Sequence, residues 1–268
     1  MKLPPIALAL ATLGMPALHS QDLPPWVLTL SRIKRQARAE LEHVPNYACL
    51  ETISRSQKKP SRPVFEPVDT LRIEVAFIGG QEMFAREGAS EFRIVEPAAI
   101  ISQGSFGTGA FTGLARNLFV NNAALTTGSG AEKLDGRATL WYSYKIPELS
   151  GVLHVQGAGG SAYVGEEGKF WVDAQTLELL RIEVAALNIP EYVKIREVWT
   201  EIAFDTVAIG ATRVLLPKTA ESLVIGPDGV QDRNVTEFTH CREYVSQTLI
   251  HFDDETPANP PATPKKKK

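Results

Sequence analysis

The hydrophobic pattern near the start of the chain has the spacing of an amphipathic helix. After Pro24-Pro25, apolar residues recur at steps of 4, 3, 4, 4 and 3, which keeps them on one helical face. These residues are Trp26, Leu30, Ile33, Ala37, Leu41 and Val44. Glutamates interleaved with the basic residues favour a core-facing helix over a basic helix that lies on a membrane. Pro45-Asn46 then ends the helix.

From Tyr47 onward the period changes to two, which predicts β-strands. The predicted strands are 47–55, 70–78, 81–86, 137–146, 161–164, 169–173, 177–186, 195–207, 211–217, 219–225, 233–239 and 241–252. Turns are predicted at Gly79-Gly80, Asp135-Gly136 and Gly165 to Gly168, among others. The pattern predicts a meander of roughly ten strands, joined by connections of typical hairpin length.

Residues 98–130 interrupt this rhythm. Glycines at positions 104, 107, 109 and 113 predict a flexible stretch. Apolar residues with the spacing of one helical face follow, namely Phe111, Leu114, Ala115, Leu118 and Phe119. Gly128-Ser129-Gly130 closes the segment. The sequence therefore predicts a short helix on a glycine-hinged tether, inserted among the strands.

The two ends of the chain have their own character. Residues 1–20 combine Lys2, an apolar stretch from Ile6 to Leu13 and a proline breaker before Ser20, which is typical of a signal peptide. This apolar stretch is shorter than the roughly 20 residues that a membrane-spanning helix needs. We predict a single β-rich domain over 21–252 and a disordered Pro/Lys-rich tail over 253–268. The expected location is periplasmic or secreted, without a transmembrane segment.

The two cysteines, Cys49 and Cys241, form a candidate disulfide. An exported chain with an even number of cysteines favours a bond, and the alternative is a pair of separately buried thiols. Each cysteine lies in a strand-like segment, one near each end of the predicted domain. We therefore expect the bond to link neighbouring strands and to join the first strand to the last.

Composition and motifs give little support for catalysis. The net charge of −3 gives no overall attraction to nucleic acid. The chain has no G-x-S-x-G, no H-E-x-x-H and too few cysteines for a thiolate zinc site. The run Gly107-x-Gly109-x-x-x-Gly113 has the wrong spacing for a dinucleotide site. Accordingly, we expect no enzymatic activity, no cofactor, no metal site and no nucleic-acid partner.

One segment goes beyond a generic β pattern. Residues 168–184 run Gly-Lys-Phe-Trp-Val-Asp-Ala-Gln-Thr-Leu-Glu-Leu-Leu-Arg-Ile-Glu-Val. This aromatic strand, its Thr-containing turn and the following Leu-Leu-Arg strand resemble periplasmic lipoprotein-sorting carriers of the LolA/LolB kind. Three shorter pieces, 46–49, 214–217 and 240–244, are similar to parts of uncharacterised exported bacterial proteins.

The resemblance implies an α+β, mostly β fold. Its expected form is a curved antiparallel half-barrel whose concave face is covered by the N-terminal helix and the inserted helical lid. Beneath the helices we expect an apolar chamber, suited to an acyl chain. The candidate lid residues are Phe106, Phe111, Leu114, Leu118 and Phe119, and the candidate floor residues are Trp141, Trp171 and Trp199. The alternative is that these side chains simply fill a core.

From the sequence, two non-catalytic functions are favoured over a third, a hydrolase whose site is assembled from distant residues. The first is an exported, non-catalytic carrier or sensor that binds a lipid or a lipidated peptide. The second is an envelope protein-interaction scaffold with a filled core and no small-molecule ligand. They differ in whether the space beneath the helices is open or packed.

Overall fold

The computed structural model describes residues 23–79, 81–88, 92, 105, 111–210 and 212–244. The helices are α1 (Pro25–Glu42) and α2 (Phe111–Phe119). The strands are β1 (Tyr47–Lys58), β2 (Glu66–Ile78), β3 (Gln81–Arg86), β4 (Leu125–Leu134), β5 (Arg137–Ile146), β6 (Leu153–Gly157), β7 (Gly160–Asp173), β8 (Leu179–Leu187), β9 (Glu197–Ile209), β10 (Thr212–Ile225) and β11 (Gln231–Glu243). The predicted signal peptide, residue Phe106 and the predicted tail lie outside the described residues.

These strands form one curved, open antiparallel sheet. Its order is β3-β2-β1-β11-β10-β9-β8-β7-β5-β4, and β6 extends β7 as a hairpin. The first strand therefore pairs with the last described strand, and the described sheet edges are β3 and β4. The predicted fold class, a mostly-β half-barrel with two helices, is confirmed.

Both helices pack against the same face of the sheet, which we call the helix face. On α1, Leu30, Ile33, Ala37 and Leu41 are buried, as the apolar spacing predicts, whereas Trp26 is exposed. Since neighbouring side chains in a strand point to opposite sides, the other face of the sheet carries the alternate residues. We call that side the outer face.

Glycines within strands account for the main errors in the strand prediction. The predicted turn at Gly165 to Gly168 is wrong, because β7 runs unbroken from Gly160 to Asp173. A Cβ atom on Gly168 would collide with the carbonyl oxygen of Glu183 on β8, so this glycine permits close strand contact. The predicted loop around Gly128 and Gly130 is instead strand β4, and β6 was also missed.

The disulfide prediction is confirmed. Cys49 on β1 is bonded to Cys241 on β11, its neighbouring strand, across a sequence separation of 192 residues. Both cysteines adjoin a small hydrophobic cluster that contains Tyr47, Phe77 and Leu216. The bond therefore joins the first and the last described strands in sequence, which are neighbours in the sheet.

Candidate functional site

The centre of the helix face is an apolar cluster between the sheet and the two helices. Phe170 on β7 is fully buried and makes an edge contact with Phe119 of α2, at 5.0 Å between ring centroids. Tyr142 on β5, the cross-strand partner of Phe170, stacks on it at 5.3 Å between ring centroids. Leu114 and Leu118 of α2 belong to the same cluster. Protein side chains therefore fill this described part of the space beneath the helices.

Helix α2 is attached to its surroundings by a few polar contacts. Thr112 Oγ1 and the Tyr47 hydroxyl are 3.0 Å apart, close to the start of the helix. In the middle, Asn117 Nδ2 donates to Glu166 Oε1 on β7 over a long 3.4 Å. Arg116 Nη1 donates to the Leu41 carbonyl at 2.6 Å, which links α2 to the end of α1. Most of the attachment of α2 to the sheet is therefore apolar.

A polar row crosses the helix face beside the apolar cluster. Asp69, Arg55, Asn234, Ser222 and Thr200 are direct partners across five adjacent strands, from β2 to β9. The guanidinium of Arg55 binds both carboxylate oxygens of Asp69, at 2.7 and 2.6 Å. At the other end, the hydroxyls of Thr200 and Ser222 are 3.0 Å apart. The helix face thus combines an apolar half and a polar strip, which is buried from Arg55 to Thr200 and exposed at Asp69.

Buried carboxyl groups add to this polar character. Glu51 on β1 is fully buried, and neither of its carboxylate oxygens has a hydrogen-bond partner among the described residues. Burial raises the pKa of Glu51 to about 8. Burial also raises the pKa of Glu166 to about 7, although the hydrogen bond from Asn117 opposes that rise. The pKa of Glu82 is raised by burial and by the charge of Glu51.

The structure brings together three of the predicted lid residues. Leu114, Leu118 and Phe119 are buried in the apolar cluster on the helix face. Phe111 begins α2, but its side chain lies outside the described part of the chain, as does Phe106. A role of these residues in binding a ligand stays a prediction.

The predicted floor of tryptophans is wrong, because all three indoles lie on the outer face. Trp141 and Trp171 are direct cross-strand partners, and each adjoins a residue of the buried cluster, Tyr142 and Phe170 respectively. On β9, Thr200 lies on the same side as Ile202 of the cluster, so its neighbour Trp199 lies on the opposite side. With a side-chain period of two, the neighbours of cluster residues point away from the helices.

Sequence reasoning missed the residues that do form the floor. They are Tyr142, Tyr144, Phe170 and Val172, which alternate with the tryptophans on β5 and β7. The sequence showed that side chains alternate between the two faces of β5 and β7. It did not show which face is covered by the helices, because both faces carry aromatic residues. The buried Glu51 and the Arg55 row carried no sequence signal, because strand pairing alone brings their members together.

The described residues contain no group of three or more His, Cys, Asp or Glu side chains placed to hold a metal ion. Among the same residues, no helix is long and apolar enough to cross a membrane. What the site offers is an apolar face, a polar strip and carboxyl groups with raised pKa values.

The fold and site define a class of open, mostly-β half-barrels with helices over one face. A LolA superfamily protein from Nitrosomonas europaea is similar at 12% identity and a TM-score of 0.41, over 81% of this chain and 94% of that one. A DUF1329 family protein from Desulfovibrio piger is similar at 12% identity and a TM-score of 0.44, over 85% of this chain and 97% of that one. The name of the first protein includes LolA, and carriers of the LolA/LolB kind are the proteins that residues 168–184 resemble. At these TM-scores neither likeness decides what this chain binds.

No protein-family model matches the sequence, and no curated protein matches it either.

Proposed function

We propose that the chain is an exported, non-catalytic protein that carries a hydrophobic ligand, a lipid or a lipidated peptide, on its helix face. The observation that supports this most is the cover over that face. A nine-residue helix, α2, closes part of the apolar surface, held mainly by Leu114, Leu118 and Phe119. Since a short helix gains little stability alone, its position depends on this contact.

In this proposal the ligand takes the place of α2. An acyl chain would cover Phe170 and Tyr142 once Phe119 moves away, so apolar burial is exchanged rather than lost. Each buried CH₂ group contributes about 0.8 kcal/mol, so a chain of ordinary length compensates for displaced side chains. The hydrogen bonds Tyr47–Thr112 and Asn117–Glu166 would have to open. Release would follow when α2 returns.

Export is supported by the disulfide. A Cys49–Cys241 bond fits an oxidising compartment, because most cytosolic proteins keep their thiols reduced. Together with the signal-peptide pattern of residues 1–20, this favours a periplasmic or secreted protein.

One observation favours the alternative function, an envelope scaffold without a small-molecule ligand. The contacts of Phe170 with Phe119 and Tyr142 are those of a well-packed core. A scaffold would keep these contacts permanently, whereas a carrier must open them.

Binding of an acyl probe distinguishes the two functions. The full chain is titrated with dansyl undecanoate, and the purified protein is examined by native mass spectrometry for retained lipid. A carrier should bind the probe saturably, with a dissociation constant of about 1 μM, which corresponds to a binding free energy of about −8 kcal/mol. Ala115→Phe adds bulk at a fully buried position of α2 and weakens the contact of α2 with the sheet. Because α2 competes with the ligand for the same surface, this variant should bind the probe about tenfold more tightly.

Ala39→Phe is the matched control, because it adds the same bulk on the exposed side of α1. It should bind the probe as the wild type does. If Ala115→Phe does not fold, Leu118→Phe adds less bulk, also on the buried side of α2. Absence of both retained lipid and saturable probe binding in the wild type would reject the carrier and leave the scaffold.

A further inference from the structure

A groove crosses the outer face, on the side of the sheet away from the helices. It has a volume of about 320 Å³, and its lining includes Trp199, Ala185, Glu183, Lys169, Ser143 and Thr127. These residues come from five strands in the order β9, β8, β7, β5 and β4. At about 4.8 Å between strands, the groove extends about 19 Å across the sheet. It is therefore an elongated site and lies perpendicular to the strands.

Trp199 forms the aromatic wall at one end of the groove. Its cross-strand partner on β8 is Ala185, whose small side chain leaves space beside the indole. The indole is half-buried, so it is fixed in place and still reaches the groove. Such a wall suits a ligand with a flat apolar surface as well as polar groups.

The middle of the groove carries an acid and a base that do not pair with each other. Lys169 and Glu183 are direct cross-strand partners, yet the Lys169 ammonium lies over the ring of Trp141, 4.8 Å from its centroid. The adjacent Glu201 is held by Arg181 at 3.3 Å, whereas Glu183 has no ion-pair partner within the described ranges. One carboxylate and one ammonium are thus available to a ligand.

Hydroxyl groups continue the polar lining at the other end. Thr127 Oγ1 donates to Ser143 Oγ at 3.1 Å, and Ser143 lies on β5 next to Lys169. The groove therefore offers an acceptor, a donor and two groups that can do either. The sheet's own ladders use the backbone groups of the three central strands, so side chains must supply recognition.

This chemistry excludes several ligands. The carboxylate and ammonium in the middle of the groove disfavour a purely apolar ligand. An extended peptide binds along a sheet edge through backbone hydrogen bonds, whereas this groove runs across the strands and only its end reaches the edge strand β4. A saccharide fits, because its hydroxyls both donate and accept hydrogen bonds and the C–H face of its ring stacks on an indole.

We propose that this outer groove binds a short linear saccharide. One sugar ring stacks on Trp199, and the hydroxyls of the following units meet Glu183, Lys169 and Ser143 in turn. The site is independent of the helix face, because it lies on the opposite side of the same strands. The chain can therefore hold a glycan and a hydrophobic ligand at the same time.

The test is calorimetric titration of the full chain with two probes, the β-1,4-linked tetramer of N-acetylglucosamine and cellotetraose. We expect saturable binding of one of them, with a dissociation constant of about 1 mM or lower. Trp199→Ala should weaken that binding about tenfold, and Glu183→Gln about fivefold. Tyr163→Ala removes an exposed aromatic ring elsewhere on β7 and should leave binding unchanged.

Trp199→Phe keeps an aromatic wall and serves if Trp199→Ala does not fold; it should retain part of the affinity. Ala185→Arg fills the space beside the indole and should abolish binding while circular dichroism shows an intact sheet. The proposal is overturned if neither tetramer binds saturably up to about 10 mM. It is also overturned if both Trp199→Ala and Ala185→Arg bind the probe as the wild type does.

Discussion

Replacing Cys49 and Cys241 together by serine should lower the free energy of unfolding by about 5 kcal/mol. The bond closes a loop with a sequence separation of 192 residues, so it removes many conformations from the unfolded chain. That loss of unfolded-state entropy is the main contribution in the chain-entropy model. Since domains of ordinary stability have only about 5–15 kcal/mol in total, the double variant should be close to unfolding.

Urea denaturation of wild type, reduced wild type and the double variant measures this effect. The reduced wild type should unfold at the same urea concentration as the double variant, because both lack only the cross-link. A difference between them would mean that serine itself disturbs the cluster around Tyr47 and Phe77. If all three proteins share one midpoint, the loop-closure explanation is wrong.

The position of the bond also predicts which strands open first without it. Strands β1, β2 and β3 join the rest of the described sheet only through the β1–β11 ladder. In that ladder Leu50 pairs with Thr239, next to an irregularity that lies beside the cysteines. Hydrogen exchange on the double variant should therefore be fastest in β1–β3, and slower in β7 and β8.

Local patterns predicted the helices and the disulfide between the first and last strands well. The spacing of Leu30, Ile33, Ala37 and Leu41 depends on one helix alone, and the structure buries these residues. The pairing of Cys49 with Cys241 followed from having two cysteines in strand-like segments. In each case the deciding information lay within one segment or in the count of one residue type.

The choice of sheet face could not be made in the same way. On β5, Trp141 alternates with Tyr142, and on β7, Trp171 follows Phe170, so both faces appear apolar. The helices cover the face of Tyr142 and Phe170, and this depends on contacts distant in sequence. On the outer face, the Trp141 ring lies against Gly130 of the neighbouring strand, where a Cβ atom would overlap the ring.

The polar part of the candidate site required the register of the strands. Arg55 and Asn234 are partners because β1 lies beside β11, a pairing of the first described strand with the last. The predicted disulfide already placed these two strands side by side, but it did not give the register that sets Arg55 opposite Asn234. For the same reason, the sequence did not show that Glu51 is buried opposite Phe238.

Replacing Glu51 by glutamine should make the protein more stable in alkaline solution. Burial raises the pKa of Glu51 from 4.5 to about 8, so the folded state holds a proton that the unfolded state releases. This proton stabilises the fold fully below the ordinary carboxyl pKa, and the stabilisation is lost as pH rises through about 8. At about 1.4 kcal/mol for each pH unit between the two pKa values, the loss is several kcal/mol.

Glutamine has the same shape but no charge, so the variant should keep its stability over that range. We expect it to be about 3 kcal/mol more stable than the wild type near pH 8.5 and nearly equal near pH 5. Urea denaturation at several pH values measures the difference. Glu148→Gln, at an exposed position, is the control and should follow the wild type.

A residual slope should remain in Glu51→Gln, because Glu166 also has a raised pKa, about 7. Its contribution is likewise present below the ordinary carboxyl pKa and lost as pH rises through about 7. Combining Glu51→Gln with Glu166→Gln should therefore flatten the profile further, mainly below neutral pH. Parallel pH profiles for Glu51→Gln and the wild type would show that Glu51 is ionised in the fold and has a partner that stabilises its charge.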